Sequence, residues 1–135
     1  FIGDSVVAIF PKHEEDLSFQ AACEEALDAA IAANERVQDW NLEREAEDLP
    51  PIGFGIGLHV GTFTYANIGI AERLEFTVIG SVANEAARIE GMTKELEEVI
   101  LTSEEFANNC PSRLKPMGEF SLRGVESDQK LFGVK

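Results

Sequence analysis

The sequence is poor in basic residues: eleven Lys and Arg stand against twenty-five Asp and Glu, which gives a formal net charge of −14. A surface with this excess of negative charge repels nucleic-acid phosphates and anionic membrane surfaces over long range. We therefore expect no nucleic-acid partner. A small phosphorylated ligand is not excluded, because a divalent metal ion and a few local cations can reverse the field inside a cleft.

Cysteine and long apolar runs are also scarce. The two cysteines, Cys23 and Cys110, lack the spacing of a metal site and are typical of reduced thiols; a disulfide is the less favoured alternative. No apolar run approaches the length that spans a bilayer, and there is no signal-peptide pattern. We expect a cytoplasmic domain that does not itself insert into a membrane, and any tether would belong to regions outside this sequence.

Neither of the common nucleotide-binding loops is present. The chain has no glycine-rich turn ending in Lys and Ser or Thr, and no dinucleotide-binding fingerprint. Glycines do alternate at Gly53, Gly55 and Gly57, a pattern that indicates a strand that is either bent or approached closely by another backbone. Any nucleotide must therefore be bound by another architecture.

The most informative stretch runs from a predicted strand at residues 76–79 through Gly80 into a helix that Ser81 is suited to cap. Asn84 and Arg88 lie four residues apart on one face of that helix. An apolar stripe on the opposite side is predicted to be buried and comprises Val82, Ala86 and Ile89. The amide and the guanidinium are then free to bind an anion, near a helix N-terminus that also favours negative charge.

Two side chains in this region also have plainer interpretations. On spacing alone, Arg88 would pair with Glu85 or with solvent, as in many amphipathic helices. His59 is a candidate base, but a lone histidine in a strand is more often a hydrogen-bonded structural group.

The remaining patterns predict a single α+β domain. Residues 1–10 are predicted to form a hairpin with its turn at Gly3-Asp4, followed by a helix from about residue 17 to residue 42 or beyond. The apolar stripe of that helix comprises Phe19, Cys23, Ala26, Leu27, Ala30, Val37 and Trp40. Strands are predicted at 53–60, 62–68, 99–102, 114–122 and 130–134, and a small capped helix at 103–108. We expect a sandwich of helices packed on a mostly antiparallel sheet.

Four segments occur together in a distinctive order: Ile56-Gly-Leu-His-Val-Gly61, Ala66-Asn-Ile-Gly69, Arg73-Leu-Glu-Phe-Thr-Val-Ile-Gly80 and Asn84-Glu-Ala-Ala-Arg-Ile-Glu90. In order and spacing they resemble the catalytic domain of class III adenylate/guanylate cyclases, and the resemblance extends over essentially the whole chain. It implies a ferredoxin-like fold. It also implies that residues 1–135 form a cyclase catalytic domain lacking its first strand and the helical segment that follows.

The resemblance implies an adenylate cyclase, which converts ATP to 3′,5′-cyclic AMP and pyrophosphate. It implies two Mg²⁺ or Mn²⁺ ions and a head-to-tail homodimer with its sites at the interface. Asp4 matches one of two metal-binding aspartates; the second, and a purine-selecting lysine, would precede Phe1. Asn84 would orient the ribose, Arg88 would neutralise the transition state, and Arg123 would hold the terminal phosphates.

The resemblance also implies that Thr77 contributes to selecting the purine base of the substrate. In the family this position is Asp or Thr in adenylate cyclases and typically Cys in guanylate cyclases, so ATP is favoured. Ser81, Ala66 and Ile70 depart from the family pattern. Three alternatives therefore stay open: a guanylate cyclase, a catalytically inactive cyclase-homology module that binds nucleotide or dimerises with a partner, and an acidic interaction domain without a nucleotide site.

Overall fold

The computed structural model describes residues 6–13, 15–61, 64–68, 75–79, 81–122 and 127–135, with the backbone alone for 64–68, 75–79 and Ser81. The helices are α1 (Gln20–Ala46), α2 (Ser81–Glu90), α3 (Thr93–Leu96) and α4 (Glu104–Ala107), with a 3₁₀ turn at Pro111–Arg113. The strands are β1 (Ile56–Leu58), β2 (Thr64–Ile68), β3 (Glu75–Ile79), β4 (Ile100–Ser103), β5 (Leu114–Phe120) and β6 (Gln129–Val134).

Four of these strands form a mixed sheet in the order β1-β4-β6-β5. β1 is parallel to β4, whereas β6 is antiparallel to both β4 and β5. β2 and β3 form a separate antiparallel ribbon. A parallel pair requires a crossover connection, and here the connection from β1 to β4 contains the ribbon, α2 and α3. The predicted α+β class, with mostly antiparallel pairing, is confirmed.

β5 lies at one edge of this sheet and is irregular. Its register against β6 shifts between Pro116 and Gly118, and Gly118 has a φ of +124°, which residues with a side chain rarely adopt. The strand is therefore locally bulged where it carries its proline.

The core is divided between the two faces of the sheet. One cluster joins α1 to the sheet and to α4, and its buried members are Cys23, Ala26, Leu27, Ala30, Ile100, Phe106, Ala107, Cys110 and Leu114. A second cluster joins α2 to the sheet through Ile89, Leu101, Leu122 and Leu131. Successive side chains of a strand point to opposite faces, so the neighbours Ile100 and Leu101 on β4 reach different clusters. α1 and α2 therefore cover opposite faces of β4.

Of the three alternating glycines, Gly57 on β1 confirms the predicted close approach of another backbone, whereas a Cβ atom at Gly53 would have no neighbour within 4 Å and Gly55 faces the side chain of Thr93. Ile56 and Leu58 pack against the α1 cluster, so Gly57 between them faces α2. A Cβ atom at Gly57 would collide with the backbone of α2, at the Ala86 carbonyl oxygen and the Glu90 nitrogen. α2 therefore sits directly on the backbone of β1.

The predictions for the first part of the chain are only partly correct. Residues 6–10 were predicted to form a strand, but they are not in one, and residues 1–5 lie outside the described ranges. Val6 is 67% exposed and Ile9 43%, so this segment has little contact with the core before Phe10, which packs against the α1 cluster. In α1, the stripe is buried from Cys23 to Ala30, whereas Trp40 is 45% exposed. A helix of this length extends about 40 Å, further than the short strands it packs on, so its last turns leave the core.

None of the helices in the described part of the chain combines the length and the apolar character needed to cross a bilayer.

Candidate functional site

α2 presents Asn84 and Arg88 on its outer side. Asn84 is exposed and Arg88 is half-buried. Among the residues described, Arg88 has no acidic side chain within ion-pair distance, because the neighbouring Glu85 is bound to His59 instead. The part of the plainer interpretation that pairs Arg88 with Glu85 is therefore wrong, and contact of Arg88 with solvent stays the alternative to a substrate.

The opposite side of α2 seats the helix on the sheet. Ile89 is 2% exposed and belongs to the second core cluster, while Val82 and Ala86 are half-buried. Val82 also contacts the turn after β1, where a Cβ atom at Gly61 would lie 2.7 Å from the Val82 Cγ2. The predicted apolar stripe is confirmed, with Ile89 as its buried member.

His59 links three elements beneath this helix. Its side chain is 7% exposed, its Nε2 lies 2.6 Å from the Glu85 carboxylate on α2, and its Nδ1 lies 2.7 Å from the Ser103 hydroxyl at the end of β4. The Ser103 Oγ accepts from the Phe106 backbone N–H at 3.1 Å and so caps α4, as predicted. Both ring nitrogens are satisfied, which confirms the interpretation of His59 as a structural group.

The hydrogen-bond pattern also assigns a consistent tautomer. The Ser103 Oγ accepts from Phe106, so its own O–H is free to donate to Nδ1 of His59. The proton on Nε2 then donates to the Glu85 carboxylate, whose side chain is 39% exposed. A continuous chain of hydrogen bonds therefore links the start of α4 to the middle of α2 through Ser103, His59 and Glu85.

The space beside this network is not a nucleotide pocket. It is lined by polar groups of His59, Glu85 and Ser103 and by the apolar side chains of Ile89 and Leu131, and it has room for little more than a water molecule. The network is thus part of the support under the outer face of α2.

The other predicted site residues are described only in part. Thr77 lies on β3, where its backbone pairs with Ala66 of β2, and its side chain is outside the description. Asp4 and Arg123 lie outside the described residues altogether, although Leu122, just before Arg123, is buried against the cluster that contains Ile89. The structure therefore brings together one predicted pair, Asn84 and Arg88.

The metal prediction also depends on Asp4. Within the described ranges, no three His, Cys, Asp or Glu side chains gather into a group that could hold a metal ion. The predicted ligand Asp4 falls outside those ranges, so the metal site stays a prediction.

The two cysteines are both buried free thiols, as expected for reduced residues. Burial raises the pKa of the Cys23 thiol from 9.0 to about 11, with smaller contributions from Cys110 and Glu24. Neither thiol is part of the candidate site.

No protein-family model matches the chain. Over 139 residues the chain is 35% identical to an adenylate cyclase of Anabaena cylindrica, in an alignment that covers 98% of this chain and 25% of the relative. The chain thus spans about a quarter of the length of that curated relative.

The fold matches solved structures of cyclases. A crystal structure of the adenylyl cyclase CyaB from P. aeruginosa superposes with a TM-score of 0.74 at 20% identity, over 90% of this chain and 63% of that one. A guanylyl cyclase superposes with a TM-score of 0.70 at 21% identity, over 89% of this chain and 61% of that one. The fold and the sequence relationship together define a nucleotidyl cyclase type of domain.

Within that type, the chain belongs to the class III adenylate/guanylate cyclase catalytic domains. Of the segments on which the resemblance was based, the one that begins at Asn84 forms most of α2, and the one that contains His59 forms β1 and the turn after it.

Proposed function

We propose that this domain is an adenylate cyclase, which converts ATP to 3′,5′-cyclic AMP and pyrophosphate. The observation that carries the proposal is the placement of Asn84 and Arg88: they share one face of α2, and Arg88 has no acidic partner in the described part of the chain. The name of the Anabaena cylindrica relative supports the same activity.

The reaction is a phosphoryl transfer within one substrate molecule. The ribose 3′-oxygen forms a bond to the α-phosphorus, and the bond from that phosphorus to the pyrophosphate oxygen breaks. The proton of the 3′-hydroxyl is released to solvent water. Such a reaction depends on positioning and on stabilising negative charge, without a covalent nucleophile. The planar guanidinium of Arg88 is suited to phosphate oxygens, and the amide of Asn84 can both donate to and accept from the ribose.

Further roles complete the proposed site. Arg123 would hold the terminal phosphates, and Asp4 would contribute to binding two Mg²⁺ or Mn²⁺ ions. When bound, such ions would lower the pKa of the attacking hydroxyl and neutralise phosphate charge. In this proposal the Asn84 and Arg88 of one protomer act on a triphosphate held by its partner in a head-to-tail homodimer. Residues 1–135 are proposed to belong to this catalytic domain, and its location is proposed to be cytoplasmic.

ATP is favoured over GTP at Thr77, which matches the adenylate cyclase state of the base-selecting position. A guanylate cyclase is the second candidate, because a guanylyl cyclase is among the structures with this fold. Measuring both products from both substrates separates the two candidates. If cyclic GMP is the main product, the domain is a guanylate cyclase and the proposed selection of adenine at Thr77 is wrong.

The test is product formation by the full-length protein with Mn²⁺ and either nucleotide. Arg88→Ala and Asn84→Ala should each lower the rate about a hundred- to a thousand-fold, as expected for the loss of one transition-state donor. The matched controls are Arg36→Ala, at an exposed arginine of α1, and Asn34→Ala on the same helix, which should retain the wild-type rate.

Mixing variants tests the shared site. Arg88→Ala and Asp4→Ala should each be nearly inactive alone, and an equimolar mixture should recover a fraction of the activity through hybrid dimers. No recovery, with both variants dimeric, would contradict the arrangement of the site across two chains. A wild-type protein that binds Mn²⁺ and ATP without forming product would instead be an inactive cyclase-homology module. Absence of saturable binding at millimolar ATP would favour an interaction domain.

A further inference from the structure

We propose that Glu85 and His59 form a positioning pair that fixes the rotation of α2 about its axis and thereby aims Asn84 and Arg88 at the substrate. This inference rests on the proposed cyclase function and adds a residue to it. Glu85 acts through the helix and does not touch the reacting atoms.

The angular positions on the helix place Glu85 where it can do this. Successive residues are separated by about 100° around an α-helix, so Glu85 lies about 100° from Asn84 and about 60° from Arg88. A carboxylate fixed at Glu85 therefore sets the direction of both neighbours. Side-chain ends lie about 6 Å from the helix axis, so a rotation of about 10° moves them by about 1 Å.

His59 is a rigid anchor for that carboxylate. Its ring is almost fully buried, and its other nitrogen is held at 2.7 Å by Ser103, which is itself 4% exposed. Ser103 is in turn fixed at the start of α4 by the Phe106 backbone. The Glu85 carboxylate is thus hydrogen-bonded to a group that is immobilised from the opposite side by the core of the domain.

The apolar contacts of α2 leave the rotation of the helix weakly determined. Ile89 is the one fully buried side chain among those described on the helix, and at β1 the helix meets Gly57, which has no side chain to interlock with it. Val82 and Ala86 add only half-buried contacts, so Ile89 and the flat glycine contact hold the helix against the sheet but resist its rotation poorly. The Glu85 contact at 2.6 Å is the polar restraint on that motion.

Among the described residues, one other charged group approaches His59. The Glu105 carboxylate on α4 lies 3.9 Å from Nδ1, beyond hydrogen-bond distance, and it is more exposed than Glu85. It therefore serves as a control for the general effect of negative charge near the ring.

The test is the separate measurement of kcat and KM for ATP in the full-length protein. Glu85→Ala should lower kcat about ten- to a hundred-fold, the size of effect that a misplacement of about 1 Å produces, with a smaller change in KM. Glu85→Gln keeps an oxygen that accepts from Nε2 and should restore most of kcat. Glu105→Ala and Glu90→Ala, the latter an exposed carboxylate on α2 itself, should match the wild type.

A thermal unfolding curve of each variant separates positioning from stability. If Glu85→Ala lowers only the Tm, with kcat per folded protomer unchanged, Glu85 is a structural residue and the inference is overturned. In a second test, adding His59→Gln to Glu85→Ala should cost no further kcat, because the pair is already broken. A full additional loss would mean that the two residues act independently.

The two proposals fail in different ways. Wild-type protein that forms no cyclic nucleotide from ATP or GTP contradicts the cyclase function, and the positioning role falls with it. If the wild type is active and both Glu85→Ala and Glu90→Ala keep its kcat, the positioning role is contradicted and the cyclase function stands.

Discussion

Replacing Gly57 by alanine tests the seating of α2 most directly. The added methyl would lie 3.1 Å from the Glu90 Cα and closer still to the Ala86 oxygen and the Glu90 nitrogen, all of which are backbone atoms of α2. Because helix backbone cannot move aside as a side chain can, the whole helix must shift. Overpacking of this kind costs about 2 kcal/mol, or about 8 °C in Tm for a domain of this size.

The control lies on the same segment of chain. A Cβ atom at Gly53 would have no heavy atom within 4 Å, and the backbone there is not in the left-handed region. Gly53→Ala should therefore leave the stability unchanged or raise it by up to about 1 kcal/mol. The assay is thermal unfolding followed by circular dichroism on both variants and the wild type. If Gly57→Ala and Gly53→Ala have the same Tm, the inference that α2 packs directly on the backbone of β1 is wrong.

Two further predictions concern α1 and its neighbours. Arg113 lies 2.6 Å from Glu24 and 2.7 Å from Asp28, so Arg113→Ala should cost about 1 kcal/mol in urea unfolding, and less at high salt. Lys94→Ala, at an exposed lysine of α3, should cost almost nothing. Burial is the main cause that raises the pKa of the Cys23 thiol from 9.0 to about 11 in the folded protein. The thiol of the unfolded chain therefore ionises at lower pH than the folded one, which favours the unfolded state. The free energy of unfolding should fall by about 2 kcal/mol as the pH rises from 9 to 11. Denaturant midpoints measured across this range should show the fall in the wild type and a shallower fall in Cys23→Ala; equal slopes would contradict it.

Elements with strong local signals could be predicted from the sequence. The β-branched run before Gly80, the cap at Ser103 and the paired terminal strands each determine structure within a few residues, and each appears in the structure close to its predicted bounds. The face shared by Asn84 and Arg88 was equally predictable, because it follows from helical periodicity alone.

Contacts between distant parts of the chain could not be predicted in this way. The sequence places Glu85 within reach of Arg88, and nothing local indicates that His59, from another element, binds it more closely. The exposure of the last turns of α1 was unpredictable for the same reason. Helical periodicity specifies the face that Trp40 shares with Ala26, but not how far the sheet extends beneath that face. The strand predicted at residues 6–10 failed because pairing depends on a neighbour that the local pattern does not specify.

The bulge in β5 affects how the domain behaves at high concentration. The sheet formed by the described residues ends in β5 on one side and in the three-residue β1 on the other. Pro116 offers no N–H for a further strand, and the distortion at Gly118 bends the backbone out of the flat geometry that strand addition needs. The β5 edge therefore resists pairing with a strand of another molecule, which lowers the tendency of the folded domain to aggregate.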